Sequence, residues 1–570
     1  MPKLQKLKLM YYLCFPFLKN MSRMKKIALF LLFLSSVYQA NACTNLLAGK
    51  MATVDGSTMI TYAADSYMLF GALYHYPART YPEGTMLDIY EWDTGKYLGK
   101  IKQATQTYSV IGNMNEFQVS IAETTFGGRE ELVDTTGIID YGSLMYIALQ
   151  RSRSAREAIR VMTSLVEEYG YYSSGESFSI ADPNEVWMME MIGKGPNNKG
   201  AVWVAQRIPD DCIAAHANQA RITTFPYDDK NNCLYSVDVI AFAREKGYFK
   251  GRNKDFSFSD VYAPLDYVAL RACEARVWSF FRQASTDMEK YQSYISGESA
   301  ERMPLWVKPA KKLSVQDMKA FMRDQYEGTD LDITKGYGAG IYGTKLRLSP
   351  LSFKLDGVEY YHERPIATQQ TGFSFVAQMR NWLPPYIGGI LWFGVDDAAF
   401  NIYTPMYCGI TGVPECYSET NGSLLEYSST SAFWVYNMVS NYAYGKYNLM
   451  IEDVKKTQQH WENNFHTLIP SIDKTAMGLP EANAREFLTT FSHTQAENST
   501  LAWKKLGEYL LVKHLDGVIK KEANGKFLMN DKKIPPGVIR PGYPEEYLRQ
   551  MVKENPGMKA KTQEELDALR

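Results

Sequence analysis

From residue 43 the chain alternates short apolar runs with turn residues. CTNLLAGK (43–50) reads as a strand, MATVDGSTMITYAAD (51–65) carries it through Asp55-Gly56 into a second strand, and the pair predicts a β-hairpin. YSVIGNMNEFQVSIAET (108–124) repeats the pattern, with a turn expected over 113–116. The period then changes. Over 141–170, YGSLMYIALQRSRSAREAIRVMTSLVEEYG places apolar residues three and four apart, which predicts one helix closed by Gly170. Strand-like segments return at 177–193 and 200–222, with breaks at Pro183 and at Gly195-Pro196, and again between 371 and 407.

From about Tyr427 the periodicity is helical and increasingly charged, through 428–465 and again through 479–515. The Pro- and charge-rich end from Lys532 predicts an extended tail lying on the surface. Strand pairs, a helix, more strand pairs and a late helical part make an α+β protein with antiparallel sheets in layers.

One apolar run has a different meaning. IALFLLFLSSV (27–37) follows Met24-Lys25-Lys26 and precedes Ala40-Asn41-Ala42. A basic start, a short apolar centre and small residues at −3 and −1 are the grammar of a secretory signal peptide, and the run is too short to span a bilayer. Residues 1–42 are therefore expected to be removed and the protein exported, to the periplasm or beyond. The earlier broken apolar stretch LMYYLCFPFL suggests that translation starts at Met21 or Met24.

Composition narrows the function. A net charge of −1 excludes a basic footprint for nucleic acid. No later stretch is long and apolar enough to predict a membrane span. Aromatic content is 13 %, with 40 Tyr, which suits a carbohydrate- or peptide-lined cleft without choosing between them. There is no HExxH, CxxC, P-loop, GxSxG or dinucleotide fingerprint, so no metal or cofactor is implied. Of seven cysteines, Cys14 lies in the leader; Cys212 with Cys233 and Cys408 with Cys416 are conceivable disulfides, which would leave Cys43 and Cys273 free.

Cleavage after Ala42 makes Cys43 the first residue. It then carries a nucleophilic thiol and an α-amine of roughly neutral pKa, about 7.7–8.0, so one residue holds a nucleophile and its base. Lipoproteins also expose a cysteine this way, but their sites usually have Leu at −3, where this chain has Ala40.

Several motifs in order then resemble one family: CTNLLAGKMATVDGSTMITYAADS, GNMNEFQVSIAETTFGGREEL, SAREAI, IADPNEVWMMEM, RIPDD before HANQARI, FMRDQYEGT and WFGVDDAAFNIYTPMY. They resemble the dipeptidase A-type cysteine peptidases, relatives of the secernins and, more remotely, of bile-salt hydrolases and penicillin V acylase, all N-terminal nucleophile hydrolases. The resemblance implies a four-layer αββα sandwich over 43–415, a mostly helical extension over 416–531 and the polar tail over 532–570. It implies hydrolysis of dipeptides or other small peptides by Cys43, with no cofactor. Amide hydrolysis of non-peptide conjugates, and a lipid-anchored binding protein without activity, are the readings it leaves open.

By the same resemblance Asp65 would stabilise the protonated α-amine, and Asn218 would offer its amide to the oxyanion. Glu123 and Thr125 fall in the other oxyanion-side segment, and Arg276 falls where distant relatives carry an Arg near the nucleophile. His216 neighbours Asn218 and is a candidate to touch substrate. The family usually has Arg three residues before the Asp; this chain has Tyr62, with Arg129 a conceivable substitute. Asn115 and Glu116 are expected as turn residues, and Asp396-Asp397 as a loop that could meet a substrate amine.

Overall fold

A computed structural model describes residues 43–570. The leader expected over 1–42 lies outside the described residues. The Asp55-Gly56 turn forms as expected: Asp55 Oδ1 accepts from the backbone N and the hydroxyl of Ser57, and Gly56 takes a φ of 84°. It joins the strands Asn45–Ala48 and Thr58–Asp65, which pair with Leu47 opposite Ile60. Both strands are buried along their whole length, so neither shows a clean apolar–polar alternation.

These two strands sit in the middle of a seven-stranded antiparallel sheet. Its order is Trp306–Val307, Ile213–His216, Asn45–Ala48, Thr58–Asp65, Thr371–Met379, Ile390–Val395 and Thr404–Tyr407. A second, eight-stranded antiparallel sheet has Ser120–Gly127, Gly175–Ala181, Val186–Gly193 and Ala201–Arg207 as its long strands. The sheets stack. Thr58 donates to the carbonyl of Asp182, and the side chains of Asn45 and Ser179 are bonded, at 2.6 and 3.1 Å. The helices Tyr141–Arg151 and Ala155–Tyr169 pack on the second sheet, and Val315–Met322 packs on the strands Thr58–Asp65 and Thr371–Met379 of the first.

Three local expectations change. The single helix over 141–170 is two. Ser152 turns extended with its hydroxyl bonded back to Ala148 O, and Ser154 caps the next helix at Glu157 N. The turn over 113–116 is a two-residue strand, Met114–Asn115, between two tight turns. Asn115 is buried there; it donates to Leu149 O and Ser152 O and accepts from the N–H of Phe117 and Val119, which locks the turn to the helix break. The tail is not simply extended: it carries the exposed helices Glu545–Glu554 and Gln563–Asp567, the second started by a Thr562/Glu565 capping box.

The late helical part forms the helices Ala432–Gly445, Tyr447–Met477 and Glu481–Lys513. They pack on each other and on the Thr404–Tyr407 edge of the first sheet. Buried ion pairs tie them down: Arg323 to Glu462 at 2.6 Å and Arg380 to Asp473 at 2.6 Å. No helix among the described residues is long and apolar enough to cross a membrane. All six described cysteines are free thiols, so neither conceivable disulfide forms.

Candidate active site

Cys43 stands two residues before the first central strand, where Thr44 bridges to Ala63. It is 5 % exposed. Its Sγ lies 3.5 Å from Glu123 Oε1 and 3.8 Å from Tyr62 Oη, and Tyr62 donates to the same Glu123 oxygen at 2.5 Å. Burial pushes the thiol well above its ordinary pKa, and the negative charges of Glu123 and Asp65 push the same way; the Asp65 N–H and the Tyr62 hydroxyl oppose them. The thiol is therefore protonated at neutral pH in this setting, and a nucleophile here needs both a base and a nearby positive charge.

Arg276 is fully buried at the start of the helix Ala275–Ala284. Its Nη1 donates to Cys43 O at 2.6 Å and to Thr44 Oγ1 at 2.7 Å, its Nη2 to Ala217 O at 3.0 Å and Asn218 Oδ1 at 2.9 Å, and its Nε to Ala272 O at 2.7 Å. Its two Nη groups thus tie Cys43 and Thr44 to Ala217 and Asn218. Asn218 takes a φ of 64°, a conformation that Asn tolerates better than most residues. Its Nδ2 donates to Thr125 O at 2.7 Å.

Asp65 ends the second central strand and is buried beside Cys43. Its carboxylate accepts from Arg364 Nη2 at 2.8 Å and Thr371 Oγ1 at 2.6 Å. Burial raises its pKa, and the Arg364 charge only partly offsets this. Arg364 and Thr371 carry no sequence signal; both reach the site from the far side of the chain.

On the other side of the thiol, Glu123 faces Glu176. Thr125 donates its hydroxyl to Glu176 Oε1 at 2.8 Å. Burial raises both carboxyls, and the Glu123 charge and hydrogen bond drive Glu176 well above the usual range, which favours one proton shared between the two. Glu176, Tyr141 and Tyr171, which all lie in the field of Glu123, were not singled out from sequence.

Three expectations need correction. His216 does not face a substrate. It is fully buried between the sheets, with Nδ1 at 2.7 Å from Thr124 Oγ1 and Nε2 at 2.8 Å from Ser179 Oγ, and burial pushes its pKa down to about 3, so it is a neutral packing residue. Arg129 does not substitute for the missing Arg at position 62: it donates to Val261 O and lies over the Tyr248 ring. Asp396 and Asp397 are not open to an amine. Asp396 accepts from Asn437 and Ser440, and Asp397 from Tyr444, all on the helix Ala432–Gly445. Glu116, expected in a turn, accepts from Ser109 N and pairs with Arg485.

The profile described as peptidase family C69 matches residues 42–460. The chain is 25 % identical to a "probable dipeptidase" of Latilactobacillus sakei over 80 % of its own length and 92 % of that protein. It is 25 % identical to a "probable dipeptidase" of Salmonella dublin over 68 % of its length and 86 % of that protein. It is 23 % identical to "dipeptidase A" of Lactobacillus helveticus over 77 % and 89 %.

Proposed function

The chain belongs to peptidase family C69, and from that membership we propose that it is an exported dipeptidase whose nucleophile is Cys43, made the first residue by removal of a leader ending at Ala42. The dipeptidase names of the relatives supply the substrate class. The stacked antiparallel sheets with helices packed on them fit an N-terminal nucleophile hydrolase sandwich over 43–415, with 416–531 as a helical extension and 532–570 as a surface tail.

The observation that carries the reading is the grip of Arg276 on the Cys43 carbonyl and on Thr44. A thiol and an α-amine on one residue are useful as a pair only if that residue's backbone is fixed, and a buried guanidinium fixes it. In the reaction the α-amine takes the thiol proton, and Sγ bonds to the scissile carbonyl carbon. The proton passes to the leaving amino group as the C–N bond breaks. Water, deprotonated by the same amine, then attacks the thioester, and the acid leaves as the thiol is restored. Asp65, anchored by Arg364 and Thr371, favours the ammonium form of the amine. Asn218, its Oδ1 held by Arg276, is the oxyanion donor, which requires its bond to Thr125 O to be shared or exchanged when substrate arrives.

The test uses protein that begins at Cys43. Cys43→Ala should lower dipeptide turnover by about 10³-fold or more, and unchanged turnover would refute the mechanism. Hydrolysis of acyl conjugates without dipeptides would make the protein an amidase, and a diacylglyceryl group in the intact mass of the mature N-terminus would make it a lipid-anchored binder.

A further inference from the structure

The Glu123–Glu176 pair makes no ion pair among the described residues. Both residues are 1 % exposed. Each Oε1 is taken by a neighbouring side chain, Tyr62 on Glu123 and Thr125 on Glu176, and each Oε2 meets no donor from any residue outside the pair, whose two carboxyls are hydrogen-bonded to each other. Two buried carboxyl oxygens joined by one shared proton are poorly satisfied compared with carboxylates that meet a cation. Three other buried carboxylates of the fold meet stronger donors, whereas Asp134 Oδ2 and Asp140 Oδ1 are likewise without one. Asp65 and Glu462 are each met by an arginine, and Glu190 by two backbone N–H groups.

We propose that the pair is the seat of the substrate's α-ammonium group, which donates to Glu123 Oε2 and Glu176 Oε2 and brings a positive charge beside Cys43 Sγ. The proposal rests on the reading of Cys43 as nucleophile. Covalent geometry fits it. In a dipeptide the α-nitrogen lies about 2.5 Å from the scissile carbonyl carbon, and that carbon sits about 3–3.5 Å from an attacking sulfur. An ammonium is therefore within about 5–6 Å of Sγ. Glu123 Oε1 is already 3.5 Å from Sγ, so its other oxygen is at a distance an ammonium can bridge. A metal ion fits less well, since no group of three or more ligating side chains occurs among the described residues.

This assignment also answers the charge problem at position 62. Tyr62 is neutral and cannot support a thiolate as an arginine would. A bound ammonium supplies that charge only when the correct substrate is present. The enzyme then requires a free amino terminus for chemistry as well as for binding.

The experiment compares Ala-Ala with N-acetyl-Ala-Ala, with folding of every variant checked by thermal unfolding. The wild type should favour the free dipeptide by about 100-fold or more in kcat/KM. Glu176→Gln should raise KM for Ala-Ala by about tenfold and leave the N-acetyl substrate unchanged, and Glu123→Gln should remove the discrimination. If Glu123→Gln does not fold, Glu176→Gln decides. Equal wild-type turnover of both substrates, or variants that slow both by one factor, would overturn the proposal. Alaninamide binding to Cys43→Ala, measured by calorimetry and lost in Cys43→Ala/Glu176→Gln, supports the ammonium seat independently of catalysis. Turnover that survives Cys43→Ala while the N-acetyl discrimination persists would sink the nucleophile assignment and leave the seat standing.

Discussion

On one side of Cys43, Asp65 accepts from Arg364 and Thr371 and is closed off by them. On the other, Glu123 and Glu176 are hydrogen-bonded to each other and make no ion pair among the described residues. Burial is the same on both sides, so solvent exposure does not explain the contrast. A carboxylate that holds a shape is paired in the fold, while one that binds a cation must be left unpaired until the cation arrives. The Asp65 side is built as an anchor and the Glu123 side as a receptor.

The largest expected effect lies in stability. Arg364→Met leaves Asp65 buried without its cation and should cost about 3–5 kcal/mol in unfolding free energy at neutral pH, read by urea denaturation. Glu176→Gln removes no ion pair and should leave stability unchanged or raise it. Equal losses in the two variants would erase the distinction between anchor and receptor.

Half of this contrast is visible in the sequence. Cys43, the Asp55-Gly56 hairpin and Asp65 are close along the chain, and turn chemistry with strand length orders them. Arg276, Asn218 and Glu123 were found through motif resemblance, which names positions but not partners. Arg364 and Thr371 lie 299 and 306 residues from Asp65, and only sheet pairing of Thr58–Asp65 with Thr371–Met379 brings them there. Glu176 reaches Glu123 because neighbouring strands align Thr125 with Glu176. His216 failed for the same reason: its neighbour Asn218 bends into the site through a left-handed backbone, while His216 itself points between the sheets. Register and facing decided each case, and neither is written locally. The helix break at Ser152 is different, because its signal was local: SRS in a helical run is a cap sequence, outweighed in the reading by apolar spacing on both sides.

A smaller effect separates the two sides by pH. Glu176 in the fold binds its proton more tightly than in the unfolded chain, where a glutamate titrates near about 4.3. Above that pH the native state holds a proton the unfolded state has lost, so this group's contribution to stability falls as pH rises. The neighbours that set it are Glu123, Thr125 and Asp93. Glu176→Gln should therefore lose less stability than wild type between pH 5 and pH 8, as about those limits bracket the range above the unfolded value, followed by thermal melts at constant ionic strength. Parallel melting curves for the two proteins would mean that Glu176 is not the proton holder.

The smallest effect tests which partner the Tyr62 hydroxyl serves. It donates to Glu123 at 2.5 Å and lies 3.8 Å from Cys43 Sγ, and its bond to Glu123 holds that carboxyl lower than burial alone would. Tyr62→Phe should cost about 1 kcal/mol in stability and let Glu123 keep a proton to higher pH. Ammonium binding requires Glu123 ionised, so the acid limb of kcat/KM for Ala-Ala should move to higher pH in this variant. The acid limb for N-acetyl-Ala-Ala, which has no ammonium to place, should stay where it is. A limb that moves for both substrates would assign the hydroxyl to the thiol instead, and the receptor side would then be tuned by Glu176 alone.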